Sequence, residues 1–143
     1  MVIWQIIKDD HDRVEGLFLQ IDECEDADER ATLIAQLKAE LEAHSAGEEN
    51  AVYPELAKID ELKDMVGHSL EEHNEVAKLL QRIVMGDEDE QASLLAELED
   101  AVQDHVEEEE DEIIPIAEKE IDDERAKDML RRFEAAKKAA VKS

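Results

Sequence analysis

Two segments of this chain carry the same pattern of histidine and glutamate, 61 residues apart. His44–Pro54 and His105–Pro115 both have the form H-x3-E-E-x4-P, in which x is any residue. Residues four apart in an α-helix differ by about 40° around its axis, so each histidine projects beside the first glutamate of its segment. Paired imidazole and carboxylate groups of this kind are suited to binding a metal ion.

Two further histidines repeat at nearly the same interval. His11 and His73 are 62 residues apart, and each is followed by valine at the third position, a large apolar residue at the seventh and isoleucine at the tenth. The chain therefore consists of two copies of one helical hairpin. Each copy supplies one histidine from its first helix and a histidine and glutamate pair from its second. This arrangement predicts a pseudo-twofold cage suited to two metal ions.

The position of these residues on apolar stripes favours metal ligands over surface ion pairs. A single H-x3-E pattern is weak evidence, because exposed pairs four residues apart are common in an acidic chain. Here the histidines and glutamates lie in register with apolar residues, where an ionisable group is costly unless it is paired or metal-bound. Six residues with this property are the predicted metal ligands: His11, His44, Glu48, His73, His105 and Glu109.

The available ligand atoms restrict the choice of metal. Cys24 is the only cysteine, so a cysteine cluster for zinc or an iron–sulfur centre is excluded. A mixed set of imidazoles and carboxylates suits iron, manganese or zinc, and ligand type alone does not choose among them. Two carboxylates shared among the imidazoles favour a bridged pair of ions over a single ion.

Four helices must position these ligands, and apolar residues spaced about 3.6 apart predict them. The chain has only 4 glycines and 2 prolines, so it favours helix almost throughout. Breaks near residues 22–28, 54–60 and 86–87 separate four apolar stripes. Short connections make consecutive helices antiparallel neighbours. We therefore predict an all-α fold, an antiparallel up-down four-helix bundle.

A fifth helix is predicted over residues 122–140. Its apolar face would consist of Met129, Leu130, Phe133 and Ala136. We expect residues 1–118 to form the bundle from the two hairpin repeats. Residues 119–143 would then form an additional C-terminal helix docked on it.

The charge of the chain restricts its partners. A formal net charge of -26, from 42 acidic and 16 basic residues, repels phosphate backbones and anionic membranes. Nucleic acid and membrane partners are therefore not expected. The first residues contain no basic leader and no apolar run of membrane-spanning length. We expect a cytoplasmic protein, and a monomer is compatible with the sequence, which does not define the oligomeric state.

The ordered set of these motifs resembles the hemerythrin-like HHE cation-binding family. The resemblance rests on Asp10-His11, His44-x3-Glu48-Glu49 with Tyr53-Pro54, Glu72-His73, and His105-x3-Glu109-Glu110 with Pro115. It implies a non-haem diiron centre in which His11 and His44 ligate one iron and His73 and His105 the other. It further implies that Glu48 and Glu109 bridge both irons, with an oxo or hydroxo group between the metals.

His68 departs from the pattern of that family. Typical members place two histidines four apart on the third helix, but Ser69 occupies that position here and His68 stands five before His73. Five residues turn a side chain about 140° around a regular helix, so His68 would reach the site only through a π-bulge. His68 is kept as a candidate metal ligand, with a half-exposed histidine as the equal alternative. Glu110 is a minor rival to Glu109, because the family's fourth-helix carboxylate lies five after its histidine.

The resemblance implies three classes of function. The first is binding of dioxygen at the iron pair. The second is an enzyme that decomposes hydrogen peroxide or reduces nitric oxide at the same centre, which an extra open position on one iron would favour if His68 is not a ligand. The third is an iron or oxygen sensor, or an iron buffer. The sequence does not separate the first two.

Overall fold

The structure, a computed structural model, describes residues 2–142 of the chain. Helices account for nearly all of these residues, and no strand occurs among them. The helices are α1 (Val2–Glu23), α2 (Ala27–Gly47), α3 (Tyr53–Leu56), α4 (Lys63–Met85), α5 (Glu88–Glu108), α6 (Ile114–Glu120) and α7 (Asp123–Lys142). The predicted all-α class is confirmed.

Aspartates start three of the long helices. The side chain of Asp26 accepts a hydrogen bond from the backbone N–H of Glu29 at the start of α2, at 3.0 Å. Asp87 accepts one from the N–H of Glu90 at the start of α5, also at 3.0 Å. Asp122 does the same before α7. Such N-caps satisfy backbone donors that have no partner within the helix and typically stabilise it by about 1 kcal/mol each.

The chain divides into two compact units, each built around one hairpin repeat. The first unit comprises Met1–Glu55 and Glu118–Ser143. In it α2 packs against α1, and α7 packs against both. The face of α7 that meets them buries Met129 and Phe133, whereas Leu130 and Ala136 of the predicted apolar face are half-buried.

Gly47 allows α7 to approach α2 closely. A Cβ atom at this position would lie 2.6 Å from two ring carbons of Phe133 and 3.2 Å from Cγ of Lys137. Carbon atoms do not approach to 2.6 Å without displacement of one of them. Glycine costs a helix about 1 kcal/mol relative to alanine. The contact with the Phe133 ring provides the reason for glycine here.

The second unit comprises Leu56–Ala117, with α4 packed against α5. Its core contains the apolar stripes of both helices, including Leu80, Ile83 and Leu98, each at most 3% exposed. Full burial of a side chain of this size contributes about 1.5–3 kcal/mol. His73 and His105 lie on the same stripes, so apolar packing of the hairpin fixes their positions.

A π-helical segment follows the histidine and glutamate pair in both repeats. These segments are Glu48–Val52 and Glu109–Ile113. In each, the next residue donates its backbone N–H to the glutamate carbonyl five positions earlier, Tyr53 to Glu48 and Ile114 to Glu109. A proline comes one residue later in both repeats. Proline has no N–H for the α-helical register and its ring clashes with the carbonyl four residues before it, which favours a wider turn at this point.

The π-bulge considered for the third helix of the bundle is absent. From Lys63 to Met85 helix α4 is α-helical throughout, including the turn between His68 and His73. The two histidines therefore keep the angular separation of a regular helix. Of the two alternatives left open for His68, the regular helix favours an exposed histidine over a ligand on the buried face.

Candidate metal centre

The first unit buries two histidines and a glutamate beside one another. His11 of α1 and His44 of α2 are 7% and 6% exposed, and Glu48 is fully buried. The two imidazole rings meet edge to face with their centroids 4.9 Å apart. His44 Nε2 lies 3.0 Å from Glu48 Oε1, as the spacing of four residues predicts. Tyr53 donates a hydrogen bond from its hydroxyl to the same glutamate oxygen at 3.3 Å.

Asp10 holds the other nitrogen of the His44 ring. His44 Nδ1 lies 2.8 Å from Asp10 Oδ2, and the aspartate is only 1% exposed. Lys137 of α7 donates to both Asp10 oxygens at 2.9 and 2.8 Å, and Arg13 also contacts Oδ1. Burial raises the pKa of Asp10, but hydrogen bonds from His44 and Lys137 outweigh it and leave the pKa below its ordinary value. Asp10 is therefore an ionised acceptor.

The proton position on His44 follows from this contact. Because ionised Asp10 only accepts hydrogen bonds, Nδ1 of His44 must donate its proton there. In the neutral imidazole Nε2 then carries a lone pair, and it faces Glu48 Oε1, which is also an acceptor. Two acceptors 3.0 Å apart repel each other unless a cation, either a proton or a metal ion, lies between them. Buried carboxylates that bind the outer nitrogen of a histidine are a regular feature of metal sites.

The second unit repeats this arrangement. His73 of α4, His105 of α5 and Glu109 are buried. His105 Nε2 lies 3.2 Å from His73 Nε2 and 3.2 Å from Glu109 Oε2. His105 Nδ1 lies 3.0 Å from Glu72 Oε1. The hydrogen bond with His105 lowers the pKa of Glu72, against a smaller rise caused by burial, so Glu72 is the acceptor.

The carboxylates that orient the imidazoles were not identified from the sequence. Asp10 immediately precedes His11 and Glu72 immediately precedes His73, so an acid occupies the same position in both repeats. In each unit this acid contacts the histidine of the facing helix rather than its own neighbour in sequence. The repeat of an acidic residue before each first-helix histidine was the available signal.

His68 lies outside the buried ligand group of its unit. Its side chain is 56% exposed, and Nε2 lies 3.7 Å from Glu72 Oε2 and 3.6 Å from Glu108 Oε2. Ser69, the position at which typical hemerythrins carry a histidine, is completely buried. Glu109 is 2% exposed whereas Glu110 is half-buried, which favours Glu109 over Glu110 as the carboxylate ligand that follows α5.

The ligand set of each unit therefore suits a metal ion. Each provides two buried imidazoles and one buried carboxylate, and an outer carboxylate fixes which nitrogen of one imidazole carries the proton. Nitrogen and oxygen ligands of these types bind iron, manganese and zinc. The clustering of buried histidine and glutamate is compatible with a metal-binding site.

Comparison with known proteins agrees with this chemistry. The family model described as "Hemerythrin HHE cation binding domain" matches residues 2–117. The chain belongs to this hemerythrin HHE family. The resemblance stated from the motifs is thereby confirmed, and the fold is a hemerythrin-like helical bundle with an additional C-terminal helix.

One relative is an uncharacterized hemerythrin-like protein of Schizosaccharomyces pombe. It is 32% identical over 133 residues, which cover 90% of this chain and 66% of the relative. The chain thus spans slightly less than two thirds of that protein's length. No solved structure matches the chain. Within residues 2–142, no helix combines the length and apolar character needed to cross a membrane.

Removal of the orienting charges should weaken metal binding. We predict that Asp10→Asn and Glu72→Gln each lower the affinity for Co²⁺ by about 10–100-fold, because loss of such an outer partner typically has this effect. Titration followed by the visible absorption of bound Co²⁺ measures the change. Asp9→Asn and Glu71→Gln are matched controls, since each removes a neighbouring exposed acid. Equal affinities in all four variants would show that Asp10 and Glu72 do not orient the ligands.

Proposed function

We propose that this protein holds two non-haem iron ions and binds dioxygen or a related small oxidant at them. The proposed iron ligands are His11, His44, Glu48, His73, His105 and Glu109. The observation that carries the proposal is the orientation of the imidazole rings of His44 and His105. Each commits Nδ1 to a carboxylate and turns Nε2 toward the oxygen of the glutamate four residues later.

Two ions are proposed because neither ligand set is sufficient alone. Each unit offers two imidazoles and one carboxylate, which leaves an iron ion short of its usual number of ligands. A carboxylate has two oxygens and can serve two ions. By the family resemblance Glu48 and Glu109 would bridge the pair, and an oxo or hydroxo group would lie between the irons. Iron is proposed over manganese and zinc on the same resemblance.

The residues of the chain prepare the site for this chemistry. A bound iron pair supplies two electrons to a small oxidant. Asp10 and Glu72 keep the histidine protons on Nδ1, so that Nε2 remains a metal ligand. The Tyr53 hydroxyl donates to Glu48 Oε1 and restricts the rotation of that carboxylate. Apolar residues on the same helix faces, such as Phe18 and Val76, are buried beside the ligands and exclude bulk water.

A second candidate function is an enzyme that decomposes hydrogen peroxide, with reduction of nitric oxide as the related activity. The observation that favours it is Ser69, one helical turn before His73 on the buried face of α4. Its hydroxyl is fully buried and forms no hydrogen bond with any residue in the described part of the chain. A small hydroxyl in place of an imidazole would leave one iron with a ligand fewer, and Ser69 would supply a proton donor on the buried face of α4.

The iron content tests the first proposal. We predict two irons per chain after reconstitution with ferrous iron, and loss of the pair in Glu48→Ala and Glu109→Ala, because a bridging carboxylate is a ligand of both ions. Metal analysis of the desalted protein measures this. Glu49→Ala and Glu110→Ala remove the adjacent carboxylates and should retain both irons. A wild-type content near one, or full iron content in the Glu48 and Glu109 variants, would contradict the proposal.

Ser69 distinguishes the two candidate functions. If the protein consumes peroxide, stopped-flow mixing should show that hydrogen peroxide oxidises the ferrous protein faster than dioxygen does. Ser69→Ala should then slow the peroxide reaction without changing the iron content, and Ser69→Thr should restore it, since the hydroxyl is the group that matters. Identical peroxide rates in the wild type and Ser69→Ala would exclude a role for the hydroxyl and leave dioxygen binding as the better function.

A further inference from the structure

A second group of metal-ligand atoms lies on the outer side of the second unit. It consists of His68, Glu72 and Glu108, and one ligand atom from each lies within 4.8 Å of the others. His68 Nε2 is 3.7 Å from Glu72 Oε2 and 3.6 Å from Glu108 Oε2. The three side chains are 56%, 18% and 21% exposed, so water reaches the group. We call these residues the outer cluster.

The spacing of the outer cluster suits coordination better than direct hydrogen bonding. A typical N–H···O hydrogen bond measures about 2.7–3.2 Å between the heavy atoms, which is shorter than either separation observed here. Ligand atoms about 2.0–2.2 Å from a shared metal ion lie roughly 3.0–3.6 Å from one another. The distances from His68 Nε2, 3.6 Å to Glu108 and 3.7 Å to Glu72, lie at and just above the upper end of this range, so a small inward movement of the side chains would place all three around one ion.

The two repeats differ in the groups that surround the carboxylate of Asp10 or Glu72. In the first unit the counterpart of Glu72 is Asp10, and Lys137 Nζ lies 2.8–2.9 Å from both of its oxygens. The counterpart of Glu108 is Gly47, where the Phe133 ring fills the space. The protein itself thus supplies a cation to the outer side of this carboxylate and covers it with α7.

In the second unit the outer oxygen of the carboxylate has no such cation. Within residues 2–142, no lysine or arginine pairs with Glu72 or Glu108. Instead a second carboxylate faces Glu72, and burial together with the negative charge of Glu72 raises the pKa of Glu108 against an opposing effect of His68. The imidazole of His68 lies near both acids. A bound metal ion could therefore take the position that Lys137 occupies in the first unit.

We propose that His68, Glu72 and Glu108 bind a divalent transition-metal ion distinct from the buried iron pair. One imidazole and two carboxylates suit Mn²⁺, Fe²⁺ or Zn²⁺, with water completing the coordination. Glu72 would use Oε2 for this ion while Oε1 continues to accept from His105. Because the cluster is partly exposed, the ion exchanges with solution. His68 is then a metal ligand, one of the two alternatives that the sequence left open, but of a different ion.

Titration with Mn²⁺ tests this site on the iron-loaded, oxidised protein. Electron paramagnetic resonance of the free Mn²⁺ gives the number and affinity of bound ions. We predict one Mn²⁺ bound more tightly than the background of exposed carboxylates. His68→Ala and Glu108→Gln should weaken it by at least about tenfold, since loss of even an outer partner of a metal site typically costs that much. The iron content, measured on the same samples, should not change.

Glu107→Gln is the matched control, because it removes one exposed carboxylate next to Glu108 on α5 without touching the cluster. Its Mn²⁺ affinity should equal that of the wild type. If His68→Ala binds Mn²⁺ as the wild type does, or if Glu107→Gln and Glu108→Gln lose affinity equally, the binding reflects general negative charge and the proposal is wrong. The Mn²⁺ and iron measurements are separate, so failure of the iron pair is recognised independently.

Discussion

A buried imidazole that donates a hydrogen bond to a carboxylate of the facing helix is the interaction on which the rest of this structure depends. In both units an acid of one helix binds Nδ1 of the histidine on the facing helix, and Nε2 is thereby turned toward a second carboxylate. Leaving a buried polar group without its hydrogen-bond partner costs about 1–3 kcal/mol, and more for a charged group. The packing must therefore keep these groups together, and a cation must lie between Nε2 and the second carboxylate.

In the first unit, several elements of the fold hold the imidazole and the carboxylate together. Lys137 of α7 neutralises Asp10, and α7 reaches it only because Gly47 leaves space for the Phe133 ring. The ring of His44 also meets the edge of Phe133, with their centroids 5.9 Å apart. The C-terminal helix is thus part of the support of the proposed iron ligands. The second unit holds its carboxylate without an equivalent helix, which leaves the outer cluster accessible.

The sequence predicted the features that depend on local spacing. The i, i+4 relation placed His44 beside Glu48 and His105 beside Glu109, and the apolar stripes predicted that these residues are buried. The helices and their breaks followed from the same periodicity. The roles of these histidines and glutamates as iron ligands stay a prediction.

Features that depend on contacts between distant residues were not predicted. Asp10 meets His44 across 34 positions and Lys137 across 127, and no local pattern encodes such pairs. The π-helical segments at Glu48–Val52 and Glu109–Ile113 were also missed, although the proline of each motif marked their position. His68 was expected at the site only through a bulge, and the regular α4 helix directs it to the outer cluster instead.

The most direct test of the proposed function is whether the ligands of the two repeats hold iron ions that interact with each other. Mössbauer spectroscopy in an applied magnetic field, on protein loaded with isotopically enriched iron and then oxidised, measures this. Two ferric ions joined by carboxylate and oxo or hydroxo bridges couple their spins, so we predict a diamagnetic ground state for all of the bound iron. A spectrum with the magnetic splitting of isolated, paramagnetic ferric ions would contradict the shared centre.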